Sequence, residues 1–233
     1  MDTSKGKSRS SRRDFLKSAG AIVVGFSWSA PGVLAQQAAL PRLPGGLNNN
    51  RMLDAWLRIN PDGRVTIFTG KCELGQGILT ALAQIASDEL DVAYERIEMV
   101  SAATARTPNE GLTAGSLSVE NSGTALRYAC AEARQILLER AAARLGVGAD
   151  RLTVADGTIT GGSGKATYAE LAKETSLKRE ATARAKPKAP SQHKVIGKSM
   201  PRRDIPSKVT GGVSYVQDMR LPGMVFGRVV RPS

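Results

Sequence analysis

Leu53, Ala55, Leu57 and Ile59 alternate with Asp54, Trp56 and Arg58, and a turn sequence, Asn60-Pro61-Asp62-Gly63, follows. Residues 64–69 alternate again and are rich in β-branched side chains, so the two runs predict a hairpin. The period then changes. Beyond a loop at 70–77, Ile78, Leu79, Leu82, Ile85 and Ala86 recur at helical spacing. Residues 96–101 predict another strand, with Ile97, Met99 and Ser101 alternating with Glu98 and Val100. From 119 to 145 the pattern is a long helix with Leu126, Cys130, Ala133, Leu137 and Ala141 on one face. Residues 151–155 and 158–160 flank Asp156-Gly157, a second hairpin signal. Thr167-Tyr168-Ala169-Glu170 has the spacing of a capping box that opens a short helix through residue 173. The order β-β-α-β-α predicts an α+β fold, a sheet with helices packed on one side.

Two connections carry residue types suited to a ligand. Gly70-Lys71-Cys72-Glu73-Leu74-Gly75-Gln76-Gly77 lies between a predicted strand and a predicted helix. Glycine allows close approach of backbone to ligand, and a helix's first turn leaves N–H groups that can bind anions. Gln76 adds an amide with donors and an acceptor, suited to a ring edge or an oxo ligand. Alone, a Gly-x-Gly before a helix is weak evidence and reads first as a plain tight connection. The second loop, Thr113-Ala114-Gly115-Ser116-Leu117-Ser118, opens the long helix, with Ser118 the predicted N-cap. Ser116, Ser118 and nearby N–H groups would meet at a helix N-terminus, where phosphate is favoured; in the plainer reading the serines only cap the helix. Two such loops, about forty residues apart, can clasp one anionic ligand between them.

Charge alters the picture locally. The net charge is +12 and the sequence pI about 10.1, yet residues 176–208 hold ten Lys or Arg against two acids, while residues 36–175 hold fourteen against sixteen. Lys186-Pro187-Lys188-Ala189-Pro190 has no interleaved aromatic residue and reads as a solvated linker rather than a nucleic-acid patch; a partner subunit with an acidic face is a third reading. Residues 1–17 hold six Lys or Arg and include Ser11-Arg12-Arg13-Asp14-Phe15-Leu16-Lys17, a twin-arginine export pattern. The apolar stretch 18–28 is too short to span a bilayer, which takes about twenty apolar residues. Val33-Leu34-Ala35 offers a cleavage site after Ala35. The chain is therefore expected to be periplasmic, to meet a membrane only during export, and to bind no nucleic acid. The two cysteines, Cys72 and Cys130, show no metal-ligand spacing and read as small buried side chains, and the single histidine, His193, sits in the basic stretch away from other chemistry.

Glu73 to Thr80 (Glu-Leu-Gly-Gln-Gly-Ile-Leu-Thr), the loop 113–118 and Gly123-Thr124-Ala125-Leu126 resemble the molybdopterin-binding large subunit of the xanthine dehydrogenase and aldehyde oxidase family. The exported isoquinoline 1-oxidoreductase branch is the nearest in pattern, because Ile78-Leu79-Thr80-Ala81 stands where xanthine dehydrogenases usually read Leu-His-Thr-Lys. The resemblance implies that Gly75, Gln76 and Gly77 touch the pterin and its dithiolene, and that Gly115, Ser116, Leu117 and Ser118 lie at the cofactor's phosphates. It implies molybdopterin, in its cytosine dinucleotide form, and the oxidation of an N-heteroaromatic compound or an aldehyde with oxygen from water. Electrons would pass to an iron–sulfur [2Fe-2S] small subunit and on to a cytochrome c. Val195-Ile196-Gly197-Lys198-Ser199, Arg203-Asp204-Ile205-Pro206 and Asp218 to Met224 resemble the start of the family's a/b hammerhead domain. The implied layout is a signal at 1–35, a linker at 36–51, part of the molybdopterin-binding domain at 52–175, a basic linker at 176–194 and the hammerhead start at 195–233. No carboxylate matches the family's catalytic glutamate, and Glu73 reads as a structural or surface acid; either a second chain completes the large subunit or this is a truncated product. The contrasting reading is a non-catalytic exported fragment that binds no cofactor unless another chain completes it.

Overall fold

The computed structural model describes residues 41–232, so the twin-arginine pattern, the cleavage site and residues 36–40 of the predicted linker lie outside the described residues. Strands β1 (Leu57–Ile59) and β2 (Val65–Thr69) form the predicted antiparallel hairpin, with Leu57 opposite Ile67 and Ile59 opposite Val65. The hairpin turn is closed by Asn60 and Arg64, whose N–H···O bond measures 2.8 Å. The alternation from residue 53 yields less strand than it predicts: Leu53–Ala55 coil into a 3₁₀ turn, which turns Trp56 inward with its indole N–H on the Asn50 carbonyl at 2.7 Å.

Helix α1 (Ile78–Leu90) follows and ends where Asp91 takes a left-handed conformation. Strand β3 (Ile97–Ser101) then pairs parallel with β2, Val65 opposite Ile97, as a strand-helix-strand crossover requires. In the order β1-β2-β3 the central strand is β2, and all five of its residues are buried. Helix α2 (Thr124–Leu145) packs against α1: Leu82, Ile85 and Ala86 meet a face of Ala125, Leu126, Ala129, Cys130 and Ala133 in one core. The small side chains of α2 let the two helices approach closely.

The predicted second hairpin is present as β4 (Thr153–Ala155) and β5 (Thr158–Gly161), turned by Asp156 and Gly157 with φ of 46° and 69°. A third strand, β6 (Gly164–Thr167), joins this sheet; its four residues contain one buried apolar side chain, too little for periodicity to reveal. The capping box at Thr167 and Glu170 starts helix α3 (Tyr168–Glu174) as predicted. The fold is thus α+β, with two three-stranded sheets where the pattern suggested one.

The start of the long helix differs from expectation. Residues Ser118–Gly123 form a π-helical turn, Leu117 precedes it, and no side chain caps it, so Ser118 is not an N-cap. The turn packs closely on α1: a Cβ on Gly123 would stand 3.1 Å from the end of the Ile85 side chain.

The basic stretch is not solvated chain. Glu132 of α2, 7% exposed, accepts the N–H groups of Thr182 and Ala183 and the Thr182 hydroxyl at 2.9–3.0 Å. Glu89, 1% exposed, accepts the Lys188 N–H at 2.9 Å and pairs with Arg127 at 3.0 Å. A backbone that lacks its own ladder here finds acceptors in buried carboxylates. Part of the predicted 36–51 linker is likewise packed, with Leu43 and Leu47 buried. Beyond helix α4 (Ile205–Val209), Val213, Val216, Val225, Phe226, Val229 and Val230 are exposed, and no strand follows β6 among the described residues, so the hammerhead start does not appear as a folded unit.

Candidate cofactor-binding site

The roots of the two predicted loops are joined. The Cys72 N–H donates to Thr113 Oγ1 at 2.9 Å, three residues before Gly75 and two before Gly115. Lys71, 1% exposed, turns its ammonium inward and donates to the carbonyls of Glu110 and Leu112 at 2.8 and 2.9 Å. Glu110 reaches back with one oxygen to the Gly70 N–H, the Thr69 hydroxyl and the Ser122 hydroxyl, at 2.8, 2.8 and 3.1 Å. Thr69 and Ser122 also meet each other at 3.0 Å, tying the end of β2 to the π turn. A buried charge with several good acceptors is stable where it stands and fixes the backbone around it. Lys71 and Thr113 lie in the two loops that the sequence singles out, yet its pattern assigns no role to them, to Glu110 or to Ser122. The available signal was a lysine directly after a buried strand, with a carboxylate at the far end of the same loop system.

Within the first loop, Gly75 and Gly77 have φ of 106° and 80°, which only glycine adopts without strain. Apart from its chain neighbours, no atom lies within 4 Å of where a Gly75 Cβ would be, so that side of the loop is clear. The donors expected at the start of α1 are already engaged. Glu73 accepts the N–H groups of Gly75, Gly77 and Leu79 at 2.9, 2.8 and 3.1 Å, so its carboxylate occupies the anion position of that helix N-terminus. Gln76 is folded onto its own loop, accepting from the Leu74 N–H at 2.6 Å and donating to the Cys72 carbonyl at 2.8 Å. The first loop therefore presents an exposed, preformed rim rather than a set of free anion donors.

The second loop is the complement. Gly115, Ser116 and Leu117 are exposed, and Ser118 is half-buried. The N–H groups of Gly115 and Ser116 and the hydroxyls of Ser116 and Ser118 have no hydrogen-bond partner among the described residues. Ser116 is held at φ 58°, a left-handed conformation that costs a non-glycine residue about 1–2 kcal/mol. Solvent-facing donors beside a strained serine offer an anionic group hydrogen bonds at this loop, whereas the first loop has three of its N–H groups taken by Glu73. Beside both roots lies a cleft of about 400 Å³ lined by Gly70, Cys72, Thr107, Pro108, Glu110 and Gly111. Leu74, Leu112, Leu117 and Val119 are exposed around the loops, interleaved with the exposed polar residues Gln76, Asn109, Ser116 and Glu120. Both cysteines are free: Cys72 is half-buried at the cleft, and Cys130 is fully buried, where burial and the nearby Glu89 carboxylate push its thiol well up.

An α+β domain that ties two small-residue loops together at their roots, one with free anion donors and one without, has the build of a cofactor-binding unit. The model of the molybdopterin cofactor-binding domain matches residues 7–204. One of the subunits of the nicotinate dehydrogenase of Pseudomonas putida is 42% identical over 183 residues, 78% of this chain and 15% of that protein. The beta subunit of the isoquinoline 1-oxidoreductase of Brevundimonas diminuta is 30% identical over 95% of this chain and 33% of its own length. Among solved structures, the CO dehydrogenase of Oligotropha carboxidovorans is similar, with a TM-score of 0.45 and 28% identity over 50% of this chain and 15% of that one. The chain belongs to the molybdopterin cofactor-binding domain family, within the xanthine oxidase-type molybdenum hydroxylases. It spans between 15% and 33% of the length of these two curated relatives.

Proposed function

We propose that this chain supplies two of the pterin-binding loops of a periplasmic molybdenum hydroxylase that oxidises an N-heteroaromatic compound or an aldehyde. The observation that carries the reading is the joined pair of loops, with unpartnered donors and a strained serine on the second. Bound molybdopterin would supply the redox chemistry, taking two electrons from the substrate as an oxygen from water enters it. The chain's own residues bind and orient. Gly115, Ser116 and Ser118 would hold phosphate, Leu117 would stand between them at the loop's crest, and Gly75 and Gly77 would let backbone approach the ring. Gln76 would exchange one of its loop bonds for the ligand's edge. Glu73 is fully engaged as a cap, so no catalytic residue is assigned to this chain.

The names of the two relatives, nicotinate dehydrogenase and isoquinoline 1-oxidoreductase, support a nitrogen heterocycle as substrate, and both are named as subunits of larger assemblies. The proposal extends to a cytosine dinucleotide cofactor, a [2Fe-2S] small subunit, a cytochrome c acceptor and twin-arginine export. A second reading, a domain that binds no cofactor until another chain completes it, draws on the exposed Leu74, Leu112, Leu117 and Val119 around the loops. Purification from the periplasm followed by molybdenum analysis tests both. The first reading expects molybdenum with the chain and its loss in Gln76→Ala and Ser116→Ala variants. Full occupancy in both variants would remove these residues from the site, and molybdenum found only with a co-purified second chain would favour the other reading.

A further inference from the structure

Residues 188–204 run back along α1 from its C-terminal to its N-terminal end. Asp88 accepts the N–H groups of Lys194, Val195 and Ile196, the shortest bonds being 2.8, 3.1 and 2.7 Å. One turn earlier, Gln84 donates to the carbonyls of Val195 and Lys198 at 2.8 and 2.9 Å. One turn earlier again, Thr80 Oγ1 accepts the Arg203 N–H at 3.1 Å. Arg203 then stacks over the Tyr94 ring at 4.1 Å and donates to the Ile97 carbonyl at 2.7 Å, fixing the end of the path.

This path delivers Arg202 to the Gly-Gln-Gly loop. Its Nη1 donates to the Gly75 carbonyl at 2.7 Å, and its Nη2 lies 3.5 Å from Glu73 Oε1. Asp204 grips the other edge of the guanidinium, accepting from Nε at 3.0 Å and from Nη2 at 2.7 Å, and Lys208 adds a second cation to Asp204 at 2.8 Å. Gly77 lies against the same guanidinium, since a Cβ there would sit 3.8 Å from its carbon. The Glu73 side chain is only 8% exposed. A nearly buried carboxylate needs a countercharge, and only a planar fork can meet it while holding Asp204 and a carbonyl at once.

We infer that Arg202 is a positioning residue: with Glu73 and Asp204 it forms a latch by which a segment far along the chain sets the conformation of the 73–77 loop before any ligand arrives. The use of that loop rests on the function proposed above; the latch is testable without it. The experiment is amide hydrogen exchange at Gly75, Gly77 and Leu79 in the full chain without cofactor, for the wild type, Arg202→Ala and Arg202→Lys. Arg202→Ala should exchange these three amides about tenfold faster or more, leaving the 153–160 hairpin unchanged. Arg202→Lys should fall between, since an ammonium can meet Glu73 but cannot also hold Asp204 and Gly75. Rates within about twofold of wild type in Arg202→Ala would overturn the latch. If Arg202→Ala loses protection throughout, Asp204→Asn decides: faster exchange confined to the loop supports the latch, and unchanged rates overturn it. Molybdenum content measured on the same variants should fall in step with loop protection. A wild type that carries no molybdenum would end the cofactor reading, while the exchange rates would still judge the latch.

Discussion

Gly70 has no room for even one more carbon. A Cβ at this position would lie 2.3 Å from the Pro108 carbonyl and 3.1 Å from the Glu110 nitrogen, both backbone atoms that cannot turn aside. Gly70→Ala should therefore push the 108–110 backbone off the end of β2 and cost about 1–3 kcal/mol, read from the midpoint of chemical denaturation. An unchanged midpoint would mean that the loop gives way freely. At this scale the sequence is legible for residue type and not for partners. The glycines at 75, 77 and 115 announce loops that need positive φ, and all three have it. That Glu73 folds onto three N–H groups within six residues, or that Gln76 closes on Cys72, depends on the path of the loop, which no residue pattern encodes.

The elements that periodicity defines are the ones with enough length for a face to repeat. The 64–69 strand lies within one residue of where the alternation puts it, helix α1 starts at Ile78 as the spacing indicates and runs four residues past the last patterned position, and Leu126, Cys130, Ala133, Leu137 and Ala141 are all buried on α2. The π turn escapes because it shares its apolar face with the helix it opens, and β6 escapes because it is short. The clearest failure is the basic stretch, where composition suggested open chain while acids within the apolar faces of the helices held the answer. Asp88 and Glu89 follow directly on Ala86 and Ser87, and Glu132 precedes Ala133, all buried. Carboxylates in such places imply a ligand or a backbone laid against them. Glu132→Gln turns one acceptor into a donor facing the N–H groups of residues 182–183 and should cost about 2–3 kcal/mol in stability, measured by denaturation. A loss under about 0.5 kcal/mol would show that this strap contributes nothing.

For the whole molecule, the ionic grip on the loop end of the strap sets its response to acid. Hydrogen bonds from Arg202 and Lys208 hold the Asp204 carboxyl far below the usual carboxylate range. With its folded value depressed, Asp204 contributes fully above the ordinary aspartate value of about 3.9 and loses that contribution as the pH falls through the lower, folded value. Exchange at the Arg203 amide should accordingly show no release of the strap between pH 7 and about 4. Release near pH 5 would show that the grip is weaker than its geometry.

The strap also has more length than it needs. Between Asp88 and Thr80 the helix rises about 12 Å, whereas residues 195–203 drawn out straight would reach about 26 Å. The surplus is coiled into a turn closed by the Lys198 N–H on the Val195 carbonyl, and Gln84 cleats that turn to the helix at both ends. Shortening the chain there by a residue would spend slack before it moved Arg202, so evolution could edit the strap's length without disturbing the loop it reaches, provided Gln84 still had a turn to hold.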